Sequence, residues 1–203
     1  MNGLLSAIQF LTSIPVGKKV VFEPSEMIVF FPAVGLLLGG IVAFFDYLAM
    51  AFWSDHVVSL LDVVLLVILT GALHLDGLGD TADGLYGRRT RQRALEIMKD
   101  SRVGIMGLVA VVCTLAIKWA GIAGLEHHRS LFILLIPGYA RGAMLFGMFF
   151  LKYGRPDGGT GRAFFQEALR LKAFFFIAVL VFATIFSGFR GIWLIVGFIM
   201  TTG

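Results

Sequence analysis

The chain has 203 residues, 58% of them hydrophobic, with a mean hydropathy of +0.90 and only 15% charged residues, where soluble domains carry about a quarter. This composition excludes an ordinary water-soluble enzyme, and 20 Phe among long Leu, Val and Ile runs exclude a disordered chain. A membrane protein is the expectation, on which a net charge of +4 reflects loop topology before any nucleic-acid partner.

In chain order, Leu4, Ile8, Leu11 and Ile14 fall at helical spacing opposite Ser6, Gln9, Thr12 and Ser13, the pattern of an interfacial helix. Lys18 and Lys19 follow this stretch rather than precede it, so it is expected to be retained rather than cleaved as a signal peptide. About 20 apolar residues at roughly 1.5 Å each cross a hydrocarbon core of about 30 Å. On that basis six spans are predicted near residues 28–53, 57–75, 103–125, 131–151, 173–187 and 189–201. The last two are short and parted only by Ser187, Gly188, Arg190 and Gly191, so a packed pair and a single kinked span both fit. Continuous apolar runs without alternation argue against a membrane barrel. The predicted fold is therefore all-α, a polytopic helical membrane bundle forming one domain over residues 1–203. Cys113 lies alone in an apolar run, so neither a disulfide framework nor a Cys-based metal site is expected.

Sidedness follows from the basic residues. Eleven of the 17 fall in two segments: Arg88, Arg89, Arg91, Arg93, Lys99 and Arg102 within 74–102, and Lys152, Arg155, Arg162, Arg170 and Lys172 within 152–172. The positive-inside rule assigns both, and the N-terminus, to the cytoplasmic side. The short loops 54–56 and 126–130 then face outward.

The segment His74-Leu-Asp76-Gly-Leu-Gly-Asp80-Thr-Ala-Asp83-Gly84-Leu-Tyr-Gly87-Arg88 carries most of the chemistry. If helical, it sets Asp76, Asp80 and Asp83 within about 60° of one another around the axis. Like charges so close repel, and a compensating cation is the natural explanation. Glu96 and Asp100 repeat the i, i+4 spacing further on. A hard ion such as Mg²⁺ is held by a few carboxylates together with substrate phosphates, and arginines bind the phosphate oxygens it leaves free. Acids, arginines and glycines together read as a diphosphate site at the membrane face. The plain alternative is a solvated loop in which Asp-Gly pairs make turns; against it, the acids begin at the end of a span, where unpaired charge is costly.

Asp46, Asp62, Lys118 and Arg141 lie inside apolar runs. Lys118 can snorkel and Asp46 sits near a span end, which favours structural roles. Arg141 has no short route to the interface and is expected to face a polar cavity. His127 and His128 read as a solvated outer loop. The glycine-rich stretch Tyr153-Gly-Arg155-Pro-Asp157-Gly-Gly-Thr-Gly161-Arg162 could offer amides to phosphate but matches no P-loop spacing.

His74 to Gly84, followed by Leu95-Glu96-Ile-Met98-Lys99-Asp100-Ser-Arg102-Val-Gly104, resembles the signature of the cobalamin synthase family, the adenosylcobinamide-GDP ribazoletransferases. Gln9 to Val16, Phe31 to Gly39, Arg141 and the Tyr153–Gly161 stretch are similar to other parts of the family pattern, so the likeness runs from Gln9 to about Phe164. Family members usually run some tens of residues further, ending in a Thr-Gly-Asp segment and an acidic helix, whereas this sequence stops at Thr201-Thr202-Gly203; a truncated chain and a short variant are the two alternatives. The resemblance implies a transferase that joins α-ribazole, or its phosphate, to adenosylcobinamide-GDP with release of GMP. It also implies a Mg²⁺ cofactor, a bacterial or archaeal cytoplasmic (inner) membrane with lipid contacts, and no nucleic-acid partner; a homo-oligomer is left open. On this reading Asp76, Asp80 and Asp83 are catalytic, and those three with Glu96 and Asp100 hold the metal. His74, Arg88, Lys99, Arg102, Arg141 and Arg155 contact substrate. Asp80-x-x-Asp83-Gly84-x-x-Gly87-Arg88 also echoes the first half of the CDP-alcohol phosphotransferase signature, whose second half is absent. Such an enzyme, an aspartate-rich prenyltransferase and a cation transporter are the competing readings.

Overall fold

The computed structural model describes residues 2–17, 22–155, 158–159, 161–166 and 174–186. Among these, all regular structure is helical: α1 (Asn2–Leu11), α2 (Pro24–Met27), a 3₁₀ turn (Ile28–Phe30), α3 (Phe31–Ala49), α4 (Asp55–Thr70), α5 (Leu73–Leu85), α6 (Arg91–Ile97), α7 (Ile105–Ala123), α8 (Arg129–Phe150), α9 (Arg162–Gln166) and α10 (Phe175–Phe186). Pro24–Ala49, α7 and α8 are long and apolar enough to cross a membrane, and α4 with α5 makes a fourth if that bent pair is one span. Several apolar helices of this length are compatible with an integral membrane protein.

One predicted span takes a different form. The one expected over 57–75 ends at Thr70, where the chain bends by 91° into α5. Gly71 and Ala72 both adopt left-handed backbone, φ 56° and 57°, and their N–H groups close the last turn of α4 onto Ile68 O and Val67 O. This is the helix-stop geometry that glycine favours. Within the span expected over 173–187, the described residues form α10. The span expected at 189–201 lies outside the described residues, as do Lys18, Lys19, Arg170 and Lys172.

The chain divides into two compact units, residues 1–47 with 128–203, and residues 48–127. In the first, Phe31, Val34, Leu38, Val42, Leu145 and Leu180 form a buried core. Gly35 and Gly39, one helical turn apart on α3, let the backbone of α8 approach closely: a Cβ on either would run into Pro137 O or Leu134 O. Small residues four apart are how membrane helices pack without a hydrophobic drive between them. At one end of this pair Arg129 Nη2 and Nε donate to Asp46 Oδ1 at 2.6 and 2.8 Å, with Asp46 buried and Arg129 half-buried. Asp46 thus has the structural role its position suggested, with a partner from the start of α8. In α1 the buried face is Ser6, Ala7 and Leu11, while Leu4 is 37% exposed, so the packed face is rotated from the Leu4–Ile8–Leu11–Ile14 stripe. Gly3 abuts the Glu26 backbone, and this close approach decides the rotation.

In the second unit α7 packs on α4 and α5, and α5 packs on α6. On α4, Val57, Leu60, Val64 and Ile68 face outward while Val58, Ser59, Asp62 and Val63 are buried. An apolar outer stripe over a more polar inner one is the arrangement a lipid environment selects. Trp119 Nε1 of α7 donates to His56 O at 2.9 Å, tying α7 to the start of α4.

Candidate functional site

The acidic stretch is a helix, α5, so Asp76, Asp80 and Asp83 do share one face. Asp76 is exposed, and Asp80 and Asp83 are half-buried. Asp83 reaches across to the start of α7: Gly104 N–H donates to Asp83 Oδ2 at 2.7 Å, and Gly107 N–H to Oδ1 at 2.8 Å. The first N–H groups of a helix have no partner within it, and Gly104, at the N-cap of α7, has no side chain to supply one. A carboxylate there also meets the positive end of the helix dipole. The fit leaves no spare room, since a Cβ on Gly104 or Gly107 would collide with the Asp83 carboxylate.

The second acidic patch is held by arginines. Glu96 accepts from Arg93 Nη1 at 2.9 Å across one turn of α6, whose N-cap Thr90 accepts the Arg93 N–H. Asp100 is gripped by Arg102, with Nη2 at 2.6 Å from Oδ2, Nε at 3.0 Å from Oδ1 and the Arg102 N–H at 3.1 Å. These hydrogen bonds hold the Asp100 carboxyl well down, at about 2, and raise the Arg102 guanidinium.

The remaining predicted contacts fall in different places. His74, Arg88 and Lys99 are exposed in the second unit. Arg141 and Arg155 belong to the first. Arg141 is 7% exposed on α8, with Nη1 donating to Pro137 O at a long 3.4 Å and no hydrogen-bond partner for Nε among the described residues. Arg155 is half-buried and its carbonyl accepts the Gly158 N–H; Asp157 and Thr160 of that glycine-rich stretch are outside the described residues. Lys118 is exposed on α7, which suits a snorkelling side chain.

A family model described as cobalamin-5-phosphate synthase matches residues 3–203. The chain belongs to that family. It is similar to proteins named adenosylcobinamide-GDP ribazoletransferase. That of Alkaliphilus metalliredigens is 42% identical over 161 residues, 78% of this chain and 64% of the relative. That of Acetivibrio thermocellus is 36% identical over 168 residues, 81% and 68%. That of Roseiflexus sp. is 38% identical over 191 residues, 92% and 70%. The chain thus spans about two thirds of the length of these relatives. No solved structure matches it.

For a member of the cobalamin-5-phosphate synthase family, the donor set can be tested against Mg²⁺. Among the described residues no three His, Cys, Asp or Glu side chains gather closely enough to hold a metal by themselves, so an all-protein cage does not fit. An ion held by one or two carboxylates, water and substrate phosphate does fit the α5 face. Each Asp83 oxygen accepts one amide, which leaves a lone pair on each for a ligand, and hydrogen-bonded carboxylates are the oriented ones in metal sites. The contribution of Gly104 and Gly107 went unread in the sequence. Its only trace was the Gly-x-x-Gly spacing at the head of an apolar run, with nothing to say that a carboxylate 21 residues earlier sits against it.

Proposed function

We propose that the chain joins α-ribazole, or its phosphate, to adenosylcobinamide-GDP with release of GMP, using Mg²⁺ held on the α5 face. The observation that carries this reading is the acidic face of α5 with Asp83 fixed to the head of α7, and the family match supports it.

A ribazole oxygen attacks the phosphorus attached to cobinamide; the new P–O bond forms as the P–O bond to GMP breaks. Two of the α5 acids, Asp83 with Asp80 or Asp76, would hold the ion, with water and substrate phosphate completing its shell. When bound, it neutralises charge on the transferring and leaving oxygens, the main requirement of phosphoryl transfer. The Gly104 and Gly107 amides keep the Asp83 carboxylate oriented before substrate arrives, so little reorganisation remains for the reaction itself. With free α-ribazole as acceptor, Asp76, the exposed acid of the three, takes the hydroxyl proton. Glu96 and Asp100 join the site only by releasing Arg93 and Arg102. His74, Arg88, Lys99 and Arg102, on the same unit as α5, supply contacts to the phosphates and the corrin side groups. The chain crosses a prokaryotic cytoplasmic membrane about six times, with α5 and α6 on the nucleotide-containing side, as the clustered arginines favour.

The test uses the chain in lipid nanodiscs with adenosylcobinamide-GDP, α-ribazole and Mg²⁺. GMP and a cobalamin product should appear together by chromatography and mass spectrometry. GMP release without α-ribazole incorporation would make the chain a hydrolase instead, and cation flux with no nucleotide dependence would make it a transporter.

A further inference from the structure

A cavity of about 340 Å³ lies between the C-terminal end of α5 and α6, lined by Gly84, Gly87, Arg89, Arg91, Leu95 and Met98 among others. Ligand pockets run from about 300 to 1,000 Å³, with apolar walls and a few placed polar groups. Here Leu95 and Met98 supply the apolar surface and the two guanidiniums the polar groups. Two glycines shape it. A Cβ on Gly84 would come within 2.7 Å of Met98 Cγ and 3.0 Å of Ala94 O, so the bare backbone is what lets α6 close one wall. Gly87, at φ +87°, turns the chain so that Arg89 and Arg91 return to the same cleft. Arg89 and Arg91 are the charged residues that line the cavity; Arg93 and Arg102, paired with Glu96 and Asp100, do not line it.

We infer that this cleft receives a purine nucleoside phosphate, the GMP portion of the substrate that departs; the inference rests on the transferase reading above. The flat base lies on Leu95 and the polarisable Met98 thioether, and Arg89 and Arg91 take the phosphate oxygens. Gly84 directly follows Asp83, so the phosphate end of such a ligand meets the acidic face of α5.

Binding of GMP to the full chain in phosphatidylcholine nanodiscs, by calorimetry, tests this with Arg89→Gln, Arg91→Gln and Arg93→Gln. The first two should each raise the GMP Kd by tenfold or more, and Arg93→Gln should not. Arg89→Gln and Arg91→Gln both shifting it by less than tenfold overturns the assignment. Turnover separates the two readings. GMP release by the wild type with an unchanged KM in both cleft variants sinks the cleft and keeps the transferase. Arginine-dependent GMP binding by a chain that never releases GMP from the cobinamide nucleotide keeps the cleft and sinks the transferase. Binding of phosphatidylglycerol through these arginines, with none of GMP, makes this a lipid-headgroup site and overturns the proposal.

Discussion

Asp83 braces the head of α7 and is proposed to hold the ion as well, so its variants should separate from those of Asp80. In Asp83→Asn one oxygen becomes an NH₂ group facing an amide N–H, so one of two charge-assisted bonds is replaced by a donor–donor clash. Leaving a part-buried N–H unsatisfied costs about 1–3 kcal/mol. Both Asp80→Asn and Asp83→Asn are predicted to lower GMP release by a hundredfold or more, while only Asp83→Asn also lowers the midpoint of thermal unfolding. Equal unfolding midpoints for the two variants would contradict the bracing role of Asp83. Gly107→Ala should reproduce the Asp83→Asn loss with all three acids intact, because its Cβ enters the carboxylate's space. Asp100 gives a prediction in pH. Its folded carboxyl is depressed to about 2 from the usual 3.8, so whatever its pairing with Arg102 contributes is fully present above about pH 4 and is lost as pH falls through about 2. The rate profile of GMP release from about pH 5 to 8 should therefore keep its shape in Asp100→Asn; a displaced acid limb would show that Asp100 titrates in that range.

At the scale of helices, the α3–α8 contact depends on two missing side chains. Gly35→Ala and Gly39→Ala push a Cβ into the α8 backbone, whereas Gly40 has only the far end of Leu134 at 3.7 Å. Overpacking of this sort typically costs about 1–3 kcal/mol; Gly40→Ala should stay within about 0.5 kcal/mol, the ordinary range for an unencumbered site. Denaturation in mild detergent checks the contrast, and three indistinguishable variants would contradict the packing. The same elements explain what could be read in advance. Apolar runs located α3, α7 and α8 to within a few residues because hydropathy reports burial in lipid directly. The spacing of Asp76, Asp80 and Asp83 revealed a shared face because a helix fixes that angle. The break at Gly71–Ala72 was hidden because the sequence stays apolar on both sides of it, through Leu73, and backbone handedness at Ala72 is not written in its side chain. The rotation of α1 and the Asp46–Arg129 and Asp83–Gly104 pairings were hidden too. Each depends on segments far apart in sequence, and local periodicity carries no such information.

For the molecule as a whole, sidedness decides whether the acidic helix meets a nucleotide at all. With exposed Cys113 removed, Thr90→Cys, which precedes α7 in the chain, and Glu126→Cys, which follows it, report on the two sides. An impermeant maleimide added to intact cells should label Glu126→Cys alone, and Thr90→Cys only after the membrane is opened. Labelling of Thr90→Cys from outside would place the arginine-rich side away from the nucleotide pool. Even so, the account stands mainly on a divalent ion acting at the α5 carboxylates. The direct measurement is the initial rate of GMP release from adenosylcobinamide-GDP as Mg²⁺ is titrated, in nanodiscs, for the wild type and Asp80→Asn. The account predicts a saturable Mg²⁺ requirement in the wild type that is lost, or moved at least tenfold to higher concentration, in Asp80→Asn. Superimposable curves for the two proteins, or a wild-type rate indifferent to Mg²⁺, would contradict it.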